Sequence, residues 1–103
     1  WKNAIVDAPE TGTVFLNSHT SPALRALRTE TSEALEFDTE SNAMTAMANM
    51  KALYFGGDMN AALALGGQVA GRIESVEPVA EIIRQTAGEC LELLDELATQ
   101  YVS

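Results

Sequence analysis

Cysteine and histidine are almost missing from this chain: Cys90 and His19 stand alone among 103 residues. One thiol cannot close an intrachain disulfide, and such sparing use of cysteine fits a reducing, cytosolic setting. Without a His/Cys cluster or a spaced carboxylate pair, no pattern is present that would hold a metal ion. Cations are scarce as well, 6 lysines and arginines against 15 acidic residues, giving a net charge of -9. That field repels a nucleic-acid backbone or an anionic membrane, so neither is an expected partner. No apolar run approaches the ~20 residues that cross a bilayer, and no signal peptide opens the chain. A complete catalytic constellation is also lacking. His19 sits in a polar loop with no carboxylate or cysteine at ligand spacing, and reads as a surface or capping side chain. Gly66-Gly67-Gln68-Val69-Ala70-Gly71 lacks the spacing and the preceding strand of a dinucleotide fingerprint, and no phosphate-loop lysine follows it.

Hydrophobic residues make up 47% of the chain, enough to bury a core. Trp1, Ala4 and Ile5 recur at helical spacing until Pro9, which reads as the end of a helix whose beginning lies upstream. Thr13-Val14-Phe15-Leu16, after Gly12, is the best strand candidate. No second β-prone run accompanies it, so its partner is expected outside the segment, or the stretch is merely extended. Ser21 and Pro22 read as the cap and first residue of a helix carrying Ala23, Leu24 and Leu27 on one face, and Ser32 to Phe37 continues helically. Ser41 or Asn42 caps the next helix, where Met44, Met47, Met50, Leu53 and Tyr54 form a stripe ended by Gly56-Gly57, read as packing with a flavin or substrate contact as the alternative. Asp58 is expected to cap a short helix over Met59 to Leu65, closed by Gly66-Gly67. The final helix is expected from about Pro78 to Tyr101. Val79, Ile82, Ile83, Thr86, Cys90, Leu93, Leu94, Leu97 and Tyr101 form its continuous apolar stripe, which makes Cys90 a small buried hydrophobe.

Several pieces occur in a telling order: Trp1 to Val6, Phe15-Leu16-Asn17, Arg25-Ala26-Leu27-Arg28, Tyr54-Phe55-Gly56-Gly57-Asp58, and the Gly-Gln-x-x-Gly element Gly67-Gln68-Val69-Ala70-Gly71. Together they resemble the carboxy-terminal end of the nitronate monooxygenase family, formerly called 2-nitropropane dioxygenases. Thr29, where asparagine is common, is a mild departure. Members are flavin-dependent (β/α)8-barrel (TIM-barrel) enzymes, akin to the flavin-containing enoyl-acyl-carrier-protein reductases. Such a barrel needs ~250 residues, so the resemblance implies a closing segment of a larger enzyme.

The expected fold class is mainly α within these residues, as the C-terminal segment (helical lid domain plus last helix) of an α/β TIM-barrel flavoprotein. Residues 1–8 would end a barrel helix, 9–74 would form the small helical second domain that caps the barrel mouth, and 75–103 would return to the barrel. The resemblance implies FMN bound mainly by barrel parts outside this chain, and oxidation of an alkyl nitronate to a carbonyl compound and nitrite; the cytoplasmic location rests on the single cysteine. The family's catalytic histidine is a barrel residue, so the role does not transfer to His19 and no catalytic residue is assigned. The alternatives are NAD(P)H-dependent reduction of a quinone or an enoyl thioester on the same fold, or a non-catalytic acidic helical module pairing through its last helix. Partners are then a small-molecule nitronate or quinone, with NAD(P)H in the reductase case, and a homo-oligomer is compatible. Gly66, Gly67 and Gln68 are the candidate cofactor-binding or substrate-cavity residues. Two glycines permit close backbone approach and Gln68 offers both a donor and an acceptor. The competing reading is a plain connection with Gln68 in solvent.

Overall fold

The computed structural model describes residues 1–102. The strand β1, Thr13–Leu16, forms where expected, but its partner lies within the chain. β2, Leu24–Leu27, runs antiparallel to it, matching Thr13 with Leu27 and Leu16 with Leu24. The helix expected from Pro22 onward is therefore a strand. The i, i+3 spacing of Leu24 and Leu27 imitates a helix face, but β1 needs a ladder partner for its backbone groups, and that tertiary demand wins. Side chains alternate across the pleat. Val14, Leu16 and Ala26 enter one buried cluster with Ala43 and Leu63, while Leu27 enters a second with Leu53, Ala62, Ala64 and Ala70. Phe15 and Arg25 face each other across the ladder, with the guanidinium 5.6 Å from the ring centroid. Arg25 Nη1 also donates to Thr13 Oγ1 at 3.1 Å.

Residues 59–65 do not form the expected helix. Residues 59–62 turn and bend, and residues 63–66 then lie along the other edge of β2: the Leu27 amide donates to the Ala64 carbonyl at 2.8 Å and the Gly66 amide to the Arg25 carbonyl at 3.2 Å. Leu65 bridges Ala26. Ala62 and Ala64 point into one cluster and Leu63 into the other, the two-residue period of a strand. Alanine and leucine favour a helix locally, but an unpaired edge of β2 buried beneath them would not tolerate one. Asp58 accepts the Asn60 amide at 3.0 Å, so it makes a turn and caps no helix.

The helix α2, Glu30–Glu36, starts afresh after β2 and packs on β1. Its capping box is complete: Thr29 Oγ1 accepts the Ser32 amide at 3.2 Å, and Ser32 Oγ accepts the Thr29 amide at 2.8 Å. Ser32 is fully buried and its hydroxyl also donates to the Leu27 carbonyl at 2.8 Å, tying helix to sheet. Ser32→Ala is expected to cost about 1–2 kcal/mol, read as a lower denaturant midpoint with an unchanged slope. The helix expected from Asn42 is split into a 3-10 segment, Ala43–Asn49, and α3, Met50–Gly56. Asn42 does cap it, accepting the Met44 amide at 2.9 Å, and Gly57 ends it with a left-handed φ of 73°. The methionines pack as expected in part: Met47 against the first cluster, Met50 and Met59 against the second, with Met44 exposed. Buried Asn17 donates to the Pro22 carbonyl and to Asn42 Oδ1 and accepts the Ala43 amide, which fixes the 17–22 loop. Hydrogen bonds from the Ser41 hydroxyl and the Glu40 and Ser41 amides hold the Asp38 carboxyl below its ordinary range.

At the beginning, α1, Lys2–Val6, presses Ala4 and Ile5 on the second cluster, and the Trp1 ring lies 4.7 Å from that of Tyr54. At the other end, α4, Val79–Tyr101, is the expected long helix. Its 23 residues span ~35 Å and none of them is buried. The apolar stripe is present but uncovered, with Ile83 64%, Leu93 55% and Leu94 58% exposed. Cys90 is exposed too, contrary to the buried position expected for it, because nothing in the described chain lies over that face.

Candidate functional site

The glycine-rich stretch leaves the β2 edge at Gly66 and enters a 3-10 turn, Gln68–Arg72, whose N-cap is Gly67. Ala70 plugs this turn into the second cluster, 3% exposed. Gly67 and Gln68 are exposed and Gly66 is half-buried. Neither Gly66 nor Gly67 has a positive φ, and each has ordinary contact or open space where a Cβ would sit. Close packing within the chain therefore falls on a third glycine. A Cβ on Gly71 would stand 2.7 Å from Glu10 Cα and 2.9 Å from the Pro9 carbonyl oxygen. Sequence reasoning gave Gly71 no role, and its only signal was its place three residues after Gln68.

Beside this turn, the end of α1, residues 9–12 and the end of β2 enclose a cavity of about 450 Å³ lined by Asp7, Thr11, Gly12, Arg28, Thr29 and Met59, among others. Arg28 is held at its rim. Its Nε donates to the Thr11 carbonyl at 3.2 Å, and its Nη1 lies 3.4 Å from both Glu33 and Glu36 carboxylates. The cavity can take an apolar group beside a few polar atoms, but it holds no nucleophile paired with a base. His19 lies elsewhere, exposed on the 17–22 loop. Among the described residues, no group of three or more His, Cys, Asp or Glu is placed to hold a metal ion, and no helix is long and apolar enough to cross a membrane.

No family model matches the sequence, and no curated protein does. A solved structure does match: a methionine-to-alanine variant of FabK from Thermotoga maritima, with a TM-score of 0.74 and 25% identity. The chain shares its fold with part of FabK. The match covers 94% of this chain and 30% of FabK's, so the chain spans less than a third of that protein's length.

The described residues do not make a cradle for FMN. A flavin phosphate wants free amides and a cation. Here the Gly66 amide is engaged by Arg25, the Arg25 side chain by Thr13 and Phe15, and Arg28 by two carboxylates. The turn at Gly67-Gln68 is five residues long, too short for the summed dipole of a true helix end. No chemical step is therefore assigned to FMN on this chain.

Proposed function

We propose that this chain is the lid and closing helix of a larger flavin-dependent (β/α)8-barrel oxidoreductase, whose remaining residues hold FMN. The observation that carries this reading is α4: a 23-residue amphipathic helix with no buried residue, in a chain that aligns over 94% of its length with under a third of FabK. An apolar face of that extent is stable in water only when something covers it, and a barrel wall fits a single straight helix. Residues 9–74 would then cap the barrel mouth and residues 75–103 return to its outer ring.

The match to FabK, a flavin-dependent enoyl-acyl-carrier-protein reductase, supports NAD(P)H-dependent reduction of an enoyl thioester, with a quinone as the simpler acceptor. The order of the sequence motifs supports the second reading, oxidation of an alkyl nitronate. The complete protein, loaded with FMN, separates them. Anaerobic bleaching of the flavin by NADH, and its recolouring by an enoyl thioester, is the expected result. Flavin indifferent to NADH but turning over ethylnitronate and oxygen to acetaldehyde and nitrite would replace the reductase reading by the nitronate one. A complete reading frame without a barrel, giving a monomer with a cooperative melt, would replace both by a non-catalytic helical module.

Within that reading Gln68 reaches toward the barrel mouth and hydrogen-bonds the substrate. Gln68→Ala in the complete protein is expected to raise the substrate KM about three- to tenfold, the worth of one hydrogen bond, with kcat little changed. Unchanged steady-state constants would return Gln68 to solvent.

A further inference from the structure

We infer that Gly71 is the positioning residue for Gln68, acting through a clasp of bare backbone between the 3-10 turn and residues 9–12; this rests on Gln68 touching substrate. The three nearest atoms to a Cβ on Gly71 would be Glu10 Cα at 2.7 Å, the Pro9 carbonyl oxygen at 2.9 Å and the Glu10 nitrogen at 3.0 Å. All are main chain, so no side chain can swing aside to make room. The platform itself is pinned. The Gly12 amide donates to the Pro9 carbonyl at 2.9 Å, and the Gly12 carbonyl accepts the Arg28 amide at 2.8 Å at the end of β2. Gly12 is under the same constraint, since a Cβ there would lie 2.8 Å from the Pro9 oxygen. Backbone contact therefore runs unbroken from the sheet to the turn.

In a 3-10 helix residues three apart eclipse one another. Gln68 thus stands one turn above Gly71 on the same edge, and Gly71 sets the height and tilt of that edge. Ala70 anchors the turn from its inner side, so a methyl group on Gly71 cannot be absorbed by sinking the turn. It must lift the edge, and Gln68 with it. The spacing Gln-x-x-Gly acquires a physical reason: the polar side chain and the close-contact glycine share one edge.

The test is a double-mutant cycle on the complete FMN-loaded protein, using a short-chain enoyl thioester with NADH, or ethylnitronate with oxygen if that is the active pair. Gly71→Ala should raise KM by about the same three- to tenfold factor as Gln68→Ala, at constant kcat and flavin content. The double variant should be no worse than either single one. Gly12→Ala, which moves the platform from the other side, should behave likewise and serves if Gly71→Ala does not fold. Hydrogen exchange should quicken at the Ala70 and Ile73 amides, which bond the Gly67 and Ala70 carbonyls. A wild-type KM in the glycine variants, or effects that multiply with that of Gln68→Ala, would overturn the positioning role while leaving the Gln68 contact standing. A wild-type KM in Gln68→Ala alone removes the contact and the inference together.

Discussion

Leu93→Ala should leave the isolated chain within about 0.5 kcal/mol of its starting stability yet cost the complete protein about 2–5 kcal/mol. Leu93 sits midway along the stripe of α4 and is 55% exposed in this chain. Truncating a side chain already in water removes little transfer energy and opens no cavity. If a barrel wall covers the same side chain, truncation loses that burial and leaves a void. The two chemical denaturation curves therefore diverge for one substitution. Charge makes the contrast larger: Leu93→Asp should lower any self-association of the isolated chain in sedimentation and strip FMN from the complete protein. Equal destabilisation in both settings would mean that α4 folds back on the residues before it, and the proposal of a barrel would fall.

Leu53→Ala is expected to act in the opposite place, inside the chain, at about 3–5 kcal/mol. Leu53 is 1% exposed and shares its cluster with Leu27, Ala62, Ala64 and Ala70, with Trp1, Ala4 and Ile5 packed against it. Four segments therefore lose a common neighbour on α3: α1, β2, the 62–64 stretch and the 3-10 turn at 68–72. A domain of this size holds only ~5–15 kcal/mol in total, so the loss is a large fraction of it. The expected signature is a fall in melting temperature, with the amides of residues 70–73 exchanging faster than those of β1. Exchange that quickens evenly across the sheet would show one cooperative core in place of two.

The helices with long, consistent periodicity were legible in the sequence. α4 needed no tertiary information because nine apolar positions fall on one face of it, and Gly57 and Asn42 announced a helix stop and start through their backbone chemistry. The hairpin was not legible in full. Leu24 and Leu27 satisfy a helix as well as a strand when only four residues are involved, and the deciding term was the unpaired backbone of β1. The alanine-rich 61–65 stretch failed for the same reason, its local preference overridden by the free edge of β2. In the candidate site, the turn at Gly66 and Gly67 was visible as a break. The constraint on Gly71 was not, because the atoms it approaches belong to Pro9 and Glu10, some 60 residues away in sequence.

The exposure of Cys90 gives the chain its own assembly reporter. As the sole sulfhydryl, it can be alkylated without ambiguity, and it lies on the bare side of α4, the face that the proposed function gives to a barrel wall. A maleimide dye should react with the free polypeptide within the time of ordinary solvent-accessible thiols and, on the proposed reading, be shut out once a barrel wall has docked.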